Sequence, residues 1–130
     1  MEPSKILLVD DERGYIDSLS GRLVIRGFDV RGVEDGFKAI EALKDFRADV
    51  VLLDVVMPGK DGVQTLREIK QNYPNIEVII LTGNADAQTA INVMELGAFD
   101  YLLKPVGVDH LVCRLNDACK KKMLLLKKVY

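Results

Sequence analysis

Two rhythms of apolar residues alternate along the chain. Unbroken runs of four come first: Ile6-Leu7-Leu8-Val9 and Val50-Val51-Leu52-Leu53, each ending on a carboxylate, at Asp10-Asp11 and at Asp54. Runs this short and rich in branched residues read as strands buried on both faces. Phe28 to Val33 is a weaker run, suited to an outer position in a sheet. Glu77 to Leu81, ending at Thr82-Gly83, and Phe99 to Leu103, ending at Lys104-Pro105, complete the set.

Between the runs the spacing changes to three and four, the period of a helix with one buried face. Ile16, Leu19 and Leu23 predict a helix over Gly14 to Arg26, with Gly27 as its left-handed stop. Phe37, Ile40 and Leu43 predict a second helix over Gly36 to Phe46. Val63, Leu66, Ile69 and Tyr73 predict a third, closed by Asn72 and Pro74. Ala87, Ala90, Ile91 and Met94 predict a fourth, stopped by Gly97. Asp109 opens a fifth, with its charge at the favourable end of the helix dipole. Pro58, Gly59 and Gly62 mark a loop after the second carboxylate-ended run. The sum is a (βα)5 chain, and strands alternating with helices predict a parallel sheet covered on both faces with right-handed crossovers.

At 130 residues this is the size of one domain, with no repeat, low-complexity stretch or linker before the last residues. Its 48% hydrophobic and 29% charged residues describe a globular chain that needs neither disulfide nor metal for its core. No apolar run reaches the ~20 residues of a membrane span, and the N-terminus lacks a signal-peptide core, so a cytoplasmic location is expected. The net charge of −2 is a cancellation: residues 120–130 carry five Lys and no acid, leaving 13 basic against 20 acidic groups, or −7, on the rest. An acidic body argues against direct nucleic-acid binding, which needs a clustered basic face.

In an open parallel sheet, ligands bind beyond the carboxyl ends of the strands. Each group there has an ordinary reading as a turn former, helix cap or solvated charge. Together they gather Asp10, Asp11 and Asp54, one hydroxyl (Thr82) and one ammonium (Lys104) on one rim. Crowded carboxylates call for a cation, and oxygen ligands suit Mg2+. Thr82, Lys104 and the Gly83 N–H are groups that stabilise a transferring phosphoryl group, and a carboxylate can accept one. Asp54 is the preferred nucleophile, because its strand is the most buried candidate for the sheet centre and the Val55–Gly62 loop is long enough to wrap a ligand.

Four segments, Ile6–Glu12, Leu53–Gly62, Ile80–Gly83 and Gly97–Pro105, agree in order and spacing with one family. The chain resembles the receiver domains of two-component response regulators, over residues 5 to about 119. Its Leu81–Pro105 segment is similar to receivers of sigma-54-dependent transcription activators. The resemblance implies a flavodoxin-like fold with strand order 2-1-3-4-5. It implies that Asp54 accepts a phosphoryl group from a phosphohistidine on a sensor histidine kinase. Mg2+ would be held by Asp11, Asp54 and the Val56 carbonyl, with Asp10 acting through water. Lys104, Thr82 and the Gly83 N–H would bind phosphoryl oxygens. Tyr101 would follow Thr82 and reshape the face of the fourth helix, fifth strand and fifth helix, which meets an output domain, a downstream protein or a second copy of the chain. A cis Lys104-Pro105 bond is expected. Val56 and Asn84 occupy positions that tune dephosphorylation, and Val56, unable to hold a water, implies slow hydrolysis. Such a domain catalyses its own phosphotransfer but is primarily a signalling module.

Three rival readings fit the residues less well. A haloacid-dehalogenase-like phosphatase needs Asp-x-Asp after the first strand, where this chain has Asp10-Asp11. A flavin-binding flavodoxin needs a Ser/Thr/Gly phosphate loop there. A degenerate receiver acting by contact alone would not need the full acidic set with Thr82 and Lys104. Of the remaining candidates, His110 reads as a surface residue, Cys113 and Cys119 as a core and a packing residue, Met57 as packing and Glu12 as solvated. Val112, Leu115, Cys119, Met123, Leu126 and Tyr130 continue helical spacing, so residues 1–119 are assigned to the receiver and 120–130 to a basic helical extension, a linker or tail. Its readings are a solvated run-on of the helix, a linker or dimer seam, or a short basic face for an anionic membrane, with a linker or dimer seam favoured.

Overall fold

A computed structural model of the chain describes residues 2–56, 61–83 and 86–128, with side chains to residue 121. Five strands alternate with five helices: β1 Lys5–Val9, α1 Arg13–Ile25, β2 Asp29–Val33, α2 Gly36–Ala42, β3 Val50–Leu53, α3 Gly62–Asn72, β4 Glu77–Thr82, α4 Ala87–Glu95, β5 Asp100–Leu103 and α5 Val108–Lys128. The strands form one parallel sheet in the order β2-β1-β3-β4-β5. This is the doubly wound architecture expected, with the weakly apolar β2 at an edge and β3 in the centre.

Side chains alternate across the sheet and build two cores. Leu7, Val9, Val51, Leu53, Val78 and Ile80 face Ala39, Leu66, Ile69 and Val93 of α2, α3 and α4. Ile6, Leu8, Val50, Leu52, Ile79 and Leu81 face Ile16, Leu19 and Leu23 of α1 and Leu111, Leu115 and Ala118 of α5. The inner three strands are therefore unbroken apolar runs over residues 6–9, 50–53 and 78–81, with polar residues only at strand ends, as strands covered on both faces require. Gly27 and Gly97, at φ +92° and +101°, end their helices in the left-handed region.

Four expectations are corrected. Helix α2 ends at Ala42, because Lys44 and Asp45 N–H groups bond back three residues to Glu41 and Ala42 and tighten the chain into a turn that delivers Phe46 to the core. Phe37 is 65% exposed, and the inward stripe of α2 is Gly36, Ala39 and Ala42. On α4 the buried residue is Val93, while Ile91 and Met94 are exposed. Cys113, expected in the core, is exposed, because the inward stripe of α5 is Leu111, Leu115 and Ala118; Cys119 packs partly against that core, and neither forms a disulfide. His110 is exposed, as expected. Among the described residues no helix is long and apolar enough to cross a membrane. The side chains of Met123 and Leu126, the loop residues Met57, Pro58, Gly59 and Lys60, and Asn84 and Tyr130 lie outside the described residues.

Candidate phosphoryl-transfer site

Alternation decides which strand-end groups meet. Asp10 continues the Ile6-Leu8 side of β1, Asp54 the Val50-Leu52 side of β3, and Lys104 the Leu102 side of β5, all facing α1 and α5. Asp10 and Asp54 are buried, at 1% and 7% exposure. Lys104 Nζ reaches between them, bonded to Asp10 Oδ2 and lying 3.3 Å from Asp54 Oδ2.

Each carboxylate is pinned by its other oxygen. Asp10 Oδ1 accepts from Glu12 N–H at 3.0 Å, and Asp54 Oδ1 from Val56 N–H at 2.9 Å. The turn-forming role of a strand-end Asp is therefore met by one oxygen, leaving the second for the site. The backbone beneath is equally fixed: Asp10 N–H bonds Val33 O and Asp54 N–H bonds Val9 O. Gly62, at the start of α3, packs directly on this loop; a Cβ there would stand 2.3 Å from Val55 Cα and 2.5 Å from the Asp54 carbonyl oxygen.

Two effects compete on Lys104: burial pulls its pKa down, while the Asp10 and Asp54 carboxylates raise it and prevail. The ammonium is thus held charged in a site where its side chain is only 16% exposed. Lys104 N–H donates to the Thr82 carbonyl oxygen at 2.8 Å, tying the end of β5 to that of β4, and the Lys104-Pro105 bond is cis.

Thr82 is fully buried and Gly83 exposed at the end of β4. Register pairs Ile80 with Tyr101 and Thr82 with Leu103, so Thr82 and the half-buried Tyr101 stand on the face of α3 and α4. They flank the rim from the side opposite α1. Val56 is 54% exposed beside Asp54.

Asp11 is exposed on the rim, and oxygens of Asp10, Asp11 and Glu12 all lie within 4.8 Å of one another. This oxygen-only set, with the Asp54 carboxylate adjacent through Lys104, fits a hard divalent cation that keeps part of its water shell. Glu12, read from the sequence as solvated with a minor electrostatic effect on the metal, is exposed and stands beside the acidic pair. Tyr15, missed altogether, places its ring centroid 4.3 Å from Lys104 Nζ. Its place one turn before Leu19 and two before Leu23, on the inward stripe of α1, was the signal available.

Comparison with known proteins follows the same lines. A model of the response regulator receiver domain matches residues 6–116. Regulatory protein AtoC of Escherichia coli is 36% identical over 108 residues, which is 83% of this chain and 23% of that protein. Response regulator MprA of a Mycobacterium species is 33% identical over 119 residues, 92% of this chain and 52% of that protein. The chain thus spans about a quarter to a half of these relatives. The crystal structure of a receiver domain protein from Clostridium thermocellum superposes with TM-score 0.89 at 38% identity, covering 94% of this chain and 98% of that one.

Proposed function

This chain belongs to the response regulator receiver domain family of two-component systems, and from that premise we propose that Asp54 accepts a phosphoryl group from a phosphohistidine of a sensor kinase. The observation that carries this reading is the Lys104 ammonium lodged between the buried carboxylates of Asp10 and Asp54. A structural lysine would not need two carboxylates at the open end of a sheet. A lysine that must follow charge onto a newly formed phosphoryl group is poised by both.

In the reaction an Asp54 carboxylate oxygen attacks phosphorus, the bond from phosphorus to the donor nitrogen breaks, and the imidazole leaves with its electron pair. Lys104 then pairs with a phosphoryl oxygen, and Thr82 and the Gly83 N–H serve the others. Asp11 and Asp54, with the Val56 carbonyl and with Asp10 through water, would hold Mg2+. When bound, that cation offsets the charge that builds on the phosphoryl oxygens. Val56, beside Asp54, offers no side-chain hydrogen bond to orient an attacking water, and spontaneous hydrolysis is slow.

The signal leaves through Thr82 and Tyr101, which share a face of the sheet. Movement of Thr82 toward the phosphoryl group lets Tyr101 turn inward and changes the surface of α4, β5 and α5. That surface already carries exposed Ile91, Met94 and Leu103, suited to an output domain, a downstream protein or a second copy of the chain. Residues 120–130 serve as linker or dimer seam. The test is labelling by acetyl phosphate with Mg2+: wild type takes up one phosphoryl group and Asp54→Asn none. Undiminished labelling of Asp54→Asn sinks the assignment.

A further inference from the structure

Lys104 has three walls, and two of them are Asp10 and Asp54. The third is the ring of Tyr15, in the first turn of α1, with the ammonium 4.3 Å from its centroid. Tyr15 is half-buried against the α1/α5 core. Its phenol is pushed up in pKa, first by burial; the Lys104 charge acts in the opposite sense, and Asp10 and Asp54 add to the rise. The ring thus shares the field of the site as well as its space.

On the reading of Asp54 as phosphoacceptor, we propose that Tyr15 is a positioning residue for phosphoryl transfer: its ring face keeps the Lys104 ammonium at the rim while Asp10 and Asp54 are engaged elsewhere. The two carboxylates hold Lys104 only as long as their outer oxygens are free. Once those oxygens turn to a cation, and before a phosphoryl oxygen is in place to receive it, an ammonium on a flexible four-carbon stem is free to swing into water. The attraction between a cation and an aromatic face does not depend on the carboxylates, and it strengthens where water is excluded. Tyr15 therefore matters most in the state where the other two walls have withdrawn.

The experiment compares wild type with Tyr15→Phe, Tyr15→Leu and Tyr15→Met. Labelling by acetyl phosphate at fixed Mg2+ is measured, along with the proton chemical shifts of the Lys104 side-chain methylenes. An aromatic face over the ammonium moves those methylene protons upfield. The expected result is that Tyr15→Phe keeps the shift and the rate. Tyr15→Leu and Tyr15→Met should lose the shift and label about tenfold more slowly. Thermal melts identify any variant that fails to fold, and Met, unbranched and adaptable, is the second non-aromatic replacement. Wild-type labelling rates in the folded Leu or Met variant overturn the proposal. So does a Phe variant as slow as Leu, which would assign the effect to the hydroxyl. Absence of the upfield shift in wild type overturns the geometry itself. If wild type takes no label, the reading of Asp54 fails and the positioning role falls with it, whereas the methylene shift remains; the two failures are thereby told apart.

Discussion

At the scale of single residues, the site depends on side chains that do two jobs. Asp10 and Asp54 each close a turn with Oδ1 and present Oδ2 to Lys104. The two readings of a strand-end acid, turn former and reactive group, are thus compatible at one residue, which is why neither could be discarded from the sequence. Gly62 is the converse case, a residue whose contribution is the absence of an atom. A Cβ at 2.3 Å from Val55 Cα meets backbone, which cannot step aside as a side chain can. Gly62→Ala should destabilise the fold by about 1–3 kcal/mol and displace the Asp54 turn. Urea unfolding measures the first effect. Slower acetyl phosphate labelling at a temperature where the variant is still folded measures the second. The acids and Lys104 were legible because they stand at strand ends. Gly62 was read only as a loop marker, because a close approach between two backbones leaves no local trace in a sequence.

At the scale of elements, the strands were legible and the helix faces only partly so. A strand buried on both sides has an apolar centre with no alternation to misplace, so β1, β3 and β4 are readable from the runs at residues 6–9, 50–53 and 78–81 alone. On α2 the inward positions are Gly36, Ala39 and Ala42, residues small enough to let the helix sit close to the sheet. Weighting the pattern by large apolar residues chose Phe37, and on α4 Ile91 and Met94, whose exposure suits contacts outside the domain. Where the inward stripe is made of large residues, as with Leu66 and Ile69 of α3, the reading was right. Leu66→Ala should cost about 2–5 kcal/mol in denaturant unfolding, since Leu66 is fully buried.

The helix starts carry a second element-scale consequence. Asp35, Asp61 and Asp86 cap α2, α3 and α4, accepting from Lys38, Gln64 and Gln88 N–H at 2.8, 2.8 and 3.1 Å. Asp86 also accepts from the Thr89 hydroxyl, the largest cause of its lowered pKa, followed by the Gln88 N–H. A carboxylate whose pKa is lower folded than unfolded stabilises above its unfolded value, and that stability is lost as pH falls through the folded value. Asp86→Ala should therefore lower the unfolding midpoint at neutral pH. The gap from wild type should shrink as pH drops below 3.8, the ordinary value. An unchanged gap at strongly acid pH would mean that the cap works without its charge.

At the scale of the whole molecule, α5 joins the two ends of the sheet. It begins beside the site edge, just after Lys104-Pro105, and runs down the face of Leu111, Leu115 and Ala118 to the edge where the strands start. Along the way Arg114 pairs with Asp100 at 2.7 Å and stacks over Phe99, and Lys121 lies over the same ring. Lys121 Nζ also stands 3.6 Å from Glu77 Oε2, the first residue of β4, whose carboxylate is 2% exposed. That oxygen accepts no hydrogen bond among the described residues, so the buried charge depends on cations such as Lys121, which lies beyond the residues matched by the family model. A fully buried pair broken on one side loses about 3–5 kcal/mol. Lys121 is half exposed, so Lys121→Ala should lose less, about 1–2 kcal/mol. Glu77→Gln in the same chain should recover most of that loss, because it removes the charge left behind. Amide exchange supplies the decisive reading: in Lys121→Ala the last turns of α5 should exchange faster while the centre of β3 keeps its protection. If exchange rises equally in both, α5 and the sheet open as one unit and Lys121 serves general stability. If it rises in the last turns alone, the pair to Glu77 is what extends the helix of the receiver into the basic residues that follow.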